Sequence, residues 1–147
     1  MRDVLLAWVH FLCVFALVST LVAELLLYRR TMDAARVSLL RGVDAAFGIT
    51  AALVIVSGLL RVFLGIKGAA YYAHDGVFWT KMALFVAVGL LSIPPTLHYL
   101  RLGRTIGGAP AVTVEDGLYR RTWAILVAEA GILAFIPLCA TMLAHGY

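Results

Sequence analysis

Four long apolar stretches constrain this chain more than any other feature of its sequence. They run from Val4 to Tyr28, from about Asp44 to Ile66, from about Val77 to Leu100 and from about Thr122 to Ala144. A helix of about 20 apolar residues crosses the hydrocarbon layer of a bilayer. None of the four shows the alternation with period two that marks a barrel strand. Lipid offers no hydrogen bonds to a bare backbone, so helices remain as the spanning form. The sequence therefore predicts an all-α fold: an integral membrane four-helix bundle, one transmembrane domain over residues 1–147. Composition agrees, since 63% of residues are hydrophobic and only 14% are charged, against about 25% charged in soluble domains. The first stretch is too long for a signal-peptide core and carries His10 and Glu24, so it is expected to stay as a true span.

A formal charge of +4 does not point to nucleic acid, because the basic residues sit in short segments between apolar runs. Arg29, Arg30, Arg36 and Arg41 follow the first span, and Arg101, Arg104, Arg120 and Arg121 lie between the third and fourth. The opposite side holds Arg2 and Lys67, with Arg61 and Lys81 in the nearby helix ends. The positive-inside bias then places both termini and the segment Tyr71–Gly76 outside, in the periplasm, and the two basic loops in the cytoplasm. Compact loops fit a bacterial inner membrane. Pro94-Pro95 and Pro137 should bend spans three and four, and Gly107-Gly108 with Pro110 should make the third loop flexible. Cys13 and Cys139 both lie in apolar runs and suggest packing, not a disulfide framework.

Ionisable residues inside a span are costly and so become candidate sites. Sorted by depth, His10, Arg61 and Lys81 fall in the outer layer with Trp8, Trp79, Tyr71, Tyr72, His74 and His145. Glu24, Asp44 and Glu129 fall nearer the cytoplasm, with Arg41, Arg121 and His98 close to that face. Lys81 and Arg61 either serve a site or snorkel to headgroups. Asp44 reads as a helix-dipole partner or an ion pair with Arg41. The tryptophans, with Tyr28, Tyr71 and Tyr72, read as interfacial belts, His98 as interfacial, and His74 and His145 as solvent-facing. His10 and Glu24 stand close to four whole turns apart, so they share a face with Cys13, Leu17 and Thr20 that should point into the bundle. Glu129 is the expected buried acid of span four, carrying a proton or paired with a cation. Gly48, Ala51, Ala52, Ser57 and Gly58 would let span two pack closely against a neighbour, within the bundle or in a homo-oligomer.

The order of short motifs adds a resemblance. A-W-V-H-F-L-C-V-F over residues 7–15 places a histidine early in span one. S-L-L-R-G-V-D-A-A-F-G-I-T-A-A-L-V-I-V-S-G-L-L over 38–60 has a basic start and a small-residue exit, and F-W-T-K-M-A-L-F over 78–85 opens span three with a lysine. This order resembles the HemJ-type protoporphyrinogen oxidases and the membrane domain of CopD-like copper-resistance proteins, and is closer still to a sister family of these small four-helix proteins. The resemblance implies a membrane protein that binds haem b or a porphyrin in a redox role, with His10 as ligand to the haem iron. It makes Lys81 and Arg41 partners of the porphyrin carboxylates; Arg61, at the same depth as Lys81, joins them as a candidate. In the HemJ pattern a histidine stands two residues before the lysine; here Trp79 holds that place. Protoporphyrinogen-oxidase-like chemistry is thus one expectation. A copper-handling protein, using His10 with Cys13, and a structural or assembly subunit are the alternatives.

Overall fold

The structure, a computed structural model, describes residues 1–65, 74 and 76–145, and of the side chains beyond 137 only that of Thr141. Lys67, Tyr71, Tyr72 and the side chains of Cys139, Met142 and His145 lie outside the described residues. Four helical segments run back and forth: α1 (Arg2–Leu27), α2 (Ala34–Leu64), a third broken into α3 (Gly76–Leu91) and α4 (Ile93–Thr105), and α5 (Asp116–His145). Three of them, Arg2–Leu27, Ala34–Leu64 and Gly76–Thr105, are long and apolar enough to cross a membrane. The fourth, α5, is 30 residues long, about 45 Å at ~1.5 Å per residue.

Burial is inverted relative to a soluble protein. Phe15 is 68% exposed and Phe63 67%, whereas Glu24 is 2% and Glu129 1% exposed. Apolar side chains such as Phe11, Val22, Ile49 and Leu90 clothe the outside, where hydrocarbon costs them nothing and would penalise a carboxyl. On α1 the buried residues are Leu17, Leu21 and Glu24, so the face predicted from the His10–Glu24 spacing does turn inward.

The helices pack in a ring in which α1 lies against α2 and α5, α3 against α5, and α4 against α2. Arg2 donates to the carbonyl of Leu64 at 2.7 Å, tying the start of α1 to the end of α2. The third segment breaks at Ser92. Pro94 and Pro95 lack the N–H groups that would reach the carbonyls of Leu90 and Leu91, and the Ser92 hydroxyl bonds the Gly89 carbonyl at 2.8 Å. Past the break α4 settles on α2; before it, α3 leans on α5 and barely touches α2. The bend therefore opens the bundle between α2 and α3.

The all-α expectation gains one addition. β1 (Thr31–Asp33) pairs antiparallel with β2 (Ala111–Thr113), Met32 opposite Val112. This miniature sheet joins the loop after α1 to the loop before α5, so both basic loops share one end of the bundle, here called the sheet end. Val114 N–H donates to the Arg30 carbonyl at 2.8 Å, and Arg30 pairs with Asp116 at 2.7 Å. Met32, Ile106 and Val114 are buried beneath. The loop expected to be flexible thus contains a paired strand, and Gly108 supplies the left-handed backbone of its turn with φ of 96°.

Helix α2 starts ten residues before the apolar stretch, because Asp33 caps it: its carboxylate accepts from Arg36 N–H at 2.8 Å. Arg36 and Arg41 consequently ride on the helix. Asp44 is no helix-start residue but lies three turns in. Replacing Asp33 by Ala should cost about 1 kcal/mol and lower the detergent-solubilised unfolding temperature. Asp33→Asn should keep most of it, and equal temperatures for all three proteins would contradict the cap.

Candidate functional site

Two polar layers lie inside the apolar shell. In the layer far from the sheet, His10 Nδ1 sits 2.9 Å from Ser57 Oγ. The Ser57 hydroxyl spends its one hydrogen on the carbonyl of Leu53 at 2.7 Å, so it receives the proton of Nδ1. Nε2 is then the nitrogen with the lone pair. Gly58 makes this possible: a Cβ there would stand 3.3 Å from His10 Cε1, tight enough to push the ring. The sequence marked Ser57 and Gly58 as packing residues; their part in holding the imidazole is new.

His10 lines a cleft between α2 and α3 with a cavity volume of about 90 Å³. Its walls are apolar, including Leu17, Val54, Leu59, Phe85 and Leu133, and Lys81 and Met82 enter from α3. Lys81 Nζ lies 5.4 Å from the Phe78 ring centre. Arg61 stands over the Phe11 ring at 5.9 Å and, with Lys81, supplies the charge felt by His10. The structure therefore brings His10, Arg61 and Lys81 together. It does not bring in Arg41, whose guanidinium lies against Gly103 of α4 at the sheet end. Nor does Trp79 line the cleft; it is 59% exposed on the outside of α3, one residue past the inward Phe78. Trp8 is likewise 59% exposed, as an interfacial belt requires, and His74 is exposed.

Nearer the sheet lies the second layer. Glu24 of α1, Asp44 of α2 and Glu129 of α5 approach from three helices, and Tyr99 of α4 faces all of them. Asp44 accepts from the Thr96 hydroxyl at 2.7 Å. The expected pair with Arg41 does not form, because Thr96, just past the Ser92 break, takes the carboxylate while Arg41 points to Gly103. Among the described residues Glu24 Oε1, Glu129 Oε1 and the Tyr99 hydroxyl are buried without a hydrogen bond of ordinary geometry, each a cost of about 1–3 kcal/mol if left so. His98 and Tyr28, expected at the interface, are buried too. Tyr28 OH lies 3.2 Å from His98 Nε2, and its ring stacks on Tyr119 at 5.2 Å. Helix α4 turns His98 inward with Pro95, Tyr99 and Leu102, and there it meets Tyr28 at the end of α1.

Among the described residues no group of three or more His, Cys, Asp or Glu is arranged to hold a metal ion. Cys13 is a free thiol, and it does not line the cleft with His10. A family model described as "Predicted membrane protein (DUF2214)" matches residues 2–147. No curated protein and no solved structure matches the chain.

The hydrogen-bond directions fix a tautomer. Nitrogen NMR of histidine-labelled protein should find His10 protonated on Nδ1, and Ser57→Ala should convert it to a mixture or to the other form. An Nε2-protonated ring in the unsubstituted protein would contradict the arrangement.

Proposed function

The chain belongs to the DUF2214 family of predicted membrane proteins, and we propose that it holds a haem b or a related porphyrin in the cleft between α2 and α3. The observation that carries this reading is the imidazole of His10, fixed through Nδ1 by Ser57 in an apolar cleft that opens where α3 parts from α2. A neutral imidazole presenting one lone pair is the usual protein ligand of haem iron. The residues present fit the group in further respects. The walls suit a flat apolar ring, Lys81 and Arg61 offer cations to its two carboxylates, and Met82 brings a thioether, another haem ligand, to the same cleft. When bound, the group would supply a one-electron couple within the membrane. The protein's own residues would orient it: His10 by ligation, Gly58 by leaving room for the imidazole, and the aliphatic walls by excluding water.

A redox role of the HemJ kind is the finer form of this proposal. Visible spectra of the detergent-purified protein, made with ample haem supply, test it. A Soret band and a sharp α band on dithionite reduction are expected, both lost in His10→Ala and kept in Arg41→Ala. A featureless spectrum from well-folded protein would overturn haem binding. Failure to complement a protoporphyrinogen-oxidase deletion, despite a haem spectrum, would remove the oxidase activity alone.

The proposal also sets the sheet end in the cytoplasm of a bacterial cell, since Arg29, Arg30, Arg36, Arg41, Arg101, Arg104, Arg120 and Arg121 all gather there. In a protein whose native cysteines are replaced, His74→Cys should react with an impermeant maleimide in intact cells. Thr105→Cys should react only after permeabilisation. The reverse pattern would invert the topology.

A further inference from the structure

The second polar layer takes no part in the proposed cleft, and it has a chemistry of its own. Glu24, Asp44 and Glu129 come from three different helices and make no ion pair with any described basic residue. Clustered acids alone would say little. The independent observation is Tyr99: it is 0% exposed, and its hydroxyl makes no hydrogen bond of ordinary geometry although it faces Glu24 closely, with Asp44 and Glu129 also in reach. The Glu24 and Glu129 oxygens are likewise buried without a hydrogen bond of ordinary geometry, and all three groups lie within electrostatic reach of one another in the interior. Several negative charges so placed, without a cation, would face both desolvation and mutual repulsion. Neutrality must come from something bound. Among the described residues no three such side chains are arranged to hold a metal ion; protons can neutralise the carboxyls, with water to bridge the remaining oxygens.

We propose that Glu24, Glu129 and Asp44, with Tyr99, form a membrane-buried proton-binding site that exchanges with the aqueous phase at the sheet end. The route towards that end is lined by packed aromatic groups. The Tyr99 ring lies 5.7 Å from that of Tyr28 and 6.0 Å from that of His98, and Tyr28 OH meets His98 Nε2. Beyond them lie Tyr119 on α5 and the charge of Arg101 on α4. The groups facing the site are therefore Glu24 and Tyr28 from α1 and its end, Asp44 from α2, Thr96, His98 and Tyr99 from α4, and Glu129 and Tyr119 from α5. The exchange is a simple balance: a carboxyl releases a proton to water and the carboxylate regains one, with no other bond changed.

Dicyclohexylcarbodiimide, which couples to protonated carboxyls in apolar surroundings, tests the site in membrane vesicles of known orientation. Label is expected on Glu24 or Glu129, falling as the pH on the sheet side alone is raised, and absent from the substituted position in Glu24→Gln or Glu129→Gln. Label insensitive to sheet-side pH, or protection by sodium or potassium ions, would overturn the proposal. Infrared spectra of the unsubstituted protein guard against a reagent that cannot enter. A carbonyl band of protonated carboxyl, shifted by deuteration and lost in the double glutamine variant, is expected, and its absence would equally overturn the site. Neither measurement depends on haem, so failure here leaves the cleft reading untouched.

Discussion

Hydrocarbon can neither donate nor accept a hydrogen bond, and nearly every feature of this bundle answers to that. Each polar side chain in a span must find its partner on another helix or on its own backbone. Ser57 and Thr50 use their own helix, bonding carbonyls one turn back, and Ser57 then serves His10 from the adjacent one. Thr96 reaches across to Asp44, and Tyr28 to His98. These cross-helix bonds set which faces turn inward, and the apolar residues take whatever surface remains. The two layers stay separate because the cations that could neutralise the acids are at the ends: Arg61 and Lys81 lie with the imidazole, Arg30 with the sheet.

The break at Ser92 turns that packing into a site. A continuous third helix would either lie along α2 for its whole length or leave it altogether. Two prolines free the backbone to do both, so α4 closes the sheet end while α3 tilts towards α5. What opens between α2 and α3 is walled by aliphatic side chains and floored by the one fixed imidazole of α1. The small sheet works at the other end. It joins the loop after α1 to the loop before α5, and Met32 and Val114 are buried beneath it.

Much of this was legible in the sequence. Long apolar runs gave the helices, and the spacing of His10 and Glu24 gave the inward face of α1, because helical periodicity is a local property. Depth sorting put His10, Arg61 and Lys81 in one layer and the three acids in another, since rise per residue is fixed. What could not be read were relations across the chain. A three-residue strand pairing over a separation of 82 residues has no local pattern to announce it. Arg41 was grouped with the site by motif order alone, yet its position on α2 is near the opposite end from Lys81. His98 and Tyr28 looked interfacial because their neighbours are charged; their burial depends on α4 crossing towards α1 after the break. Gly58 resembled a packing residue, and only the ring beside it shows why a side chain there would intrude.

The account stands or falls on whether the cleft between α2 and α3 receives a tetrapyrrole, and metal-free protoporphyrin tests that without any contribution from iron ligation. In a protein with Trp8 and Trp123 replaced by Phe, the fluorescence of Trp79 reports from α3, one residue past the cleft-lining Phe78. Titration should quench it saturably, and Gly58→Leu, which fills the space beside His10, should weaken that quenching at least tenfold. Quenching that never saturates, or that is the same in both proteins, would mean the porphyrin dissolves in the surrounding lipid or detergent and the cleft is not its site.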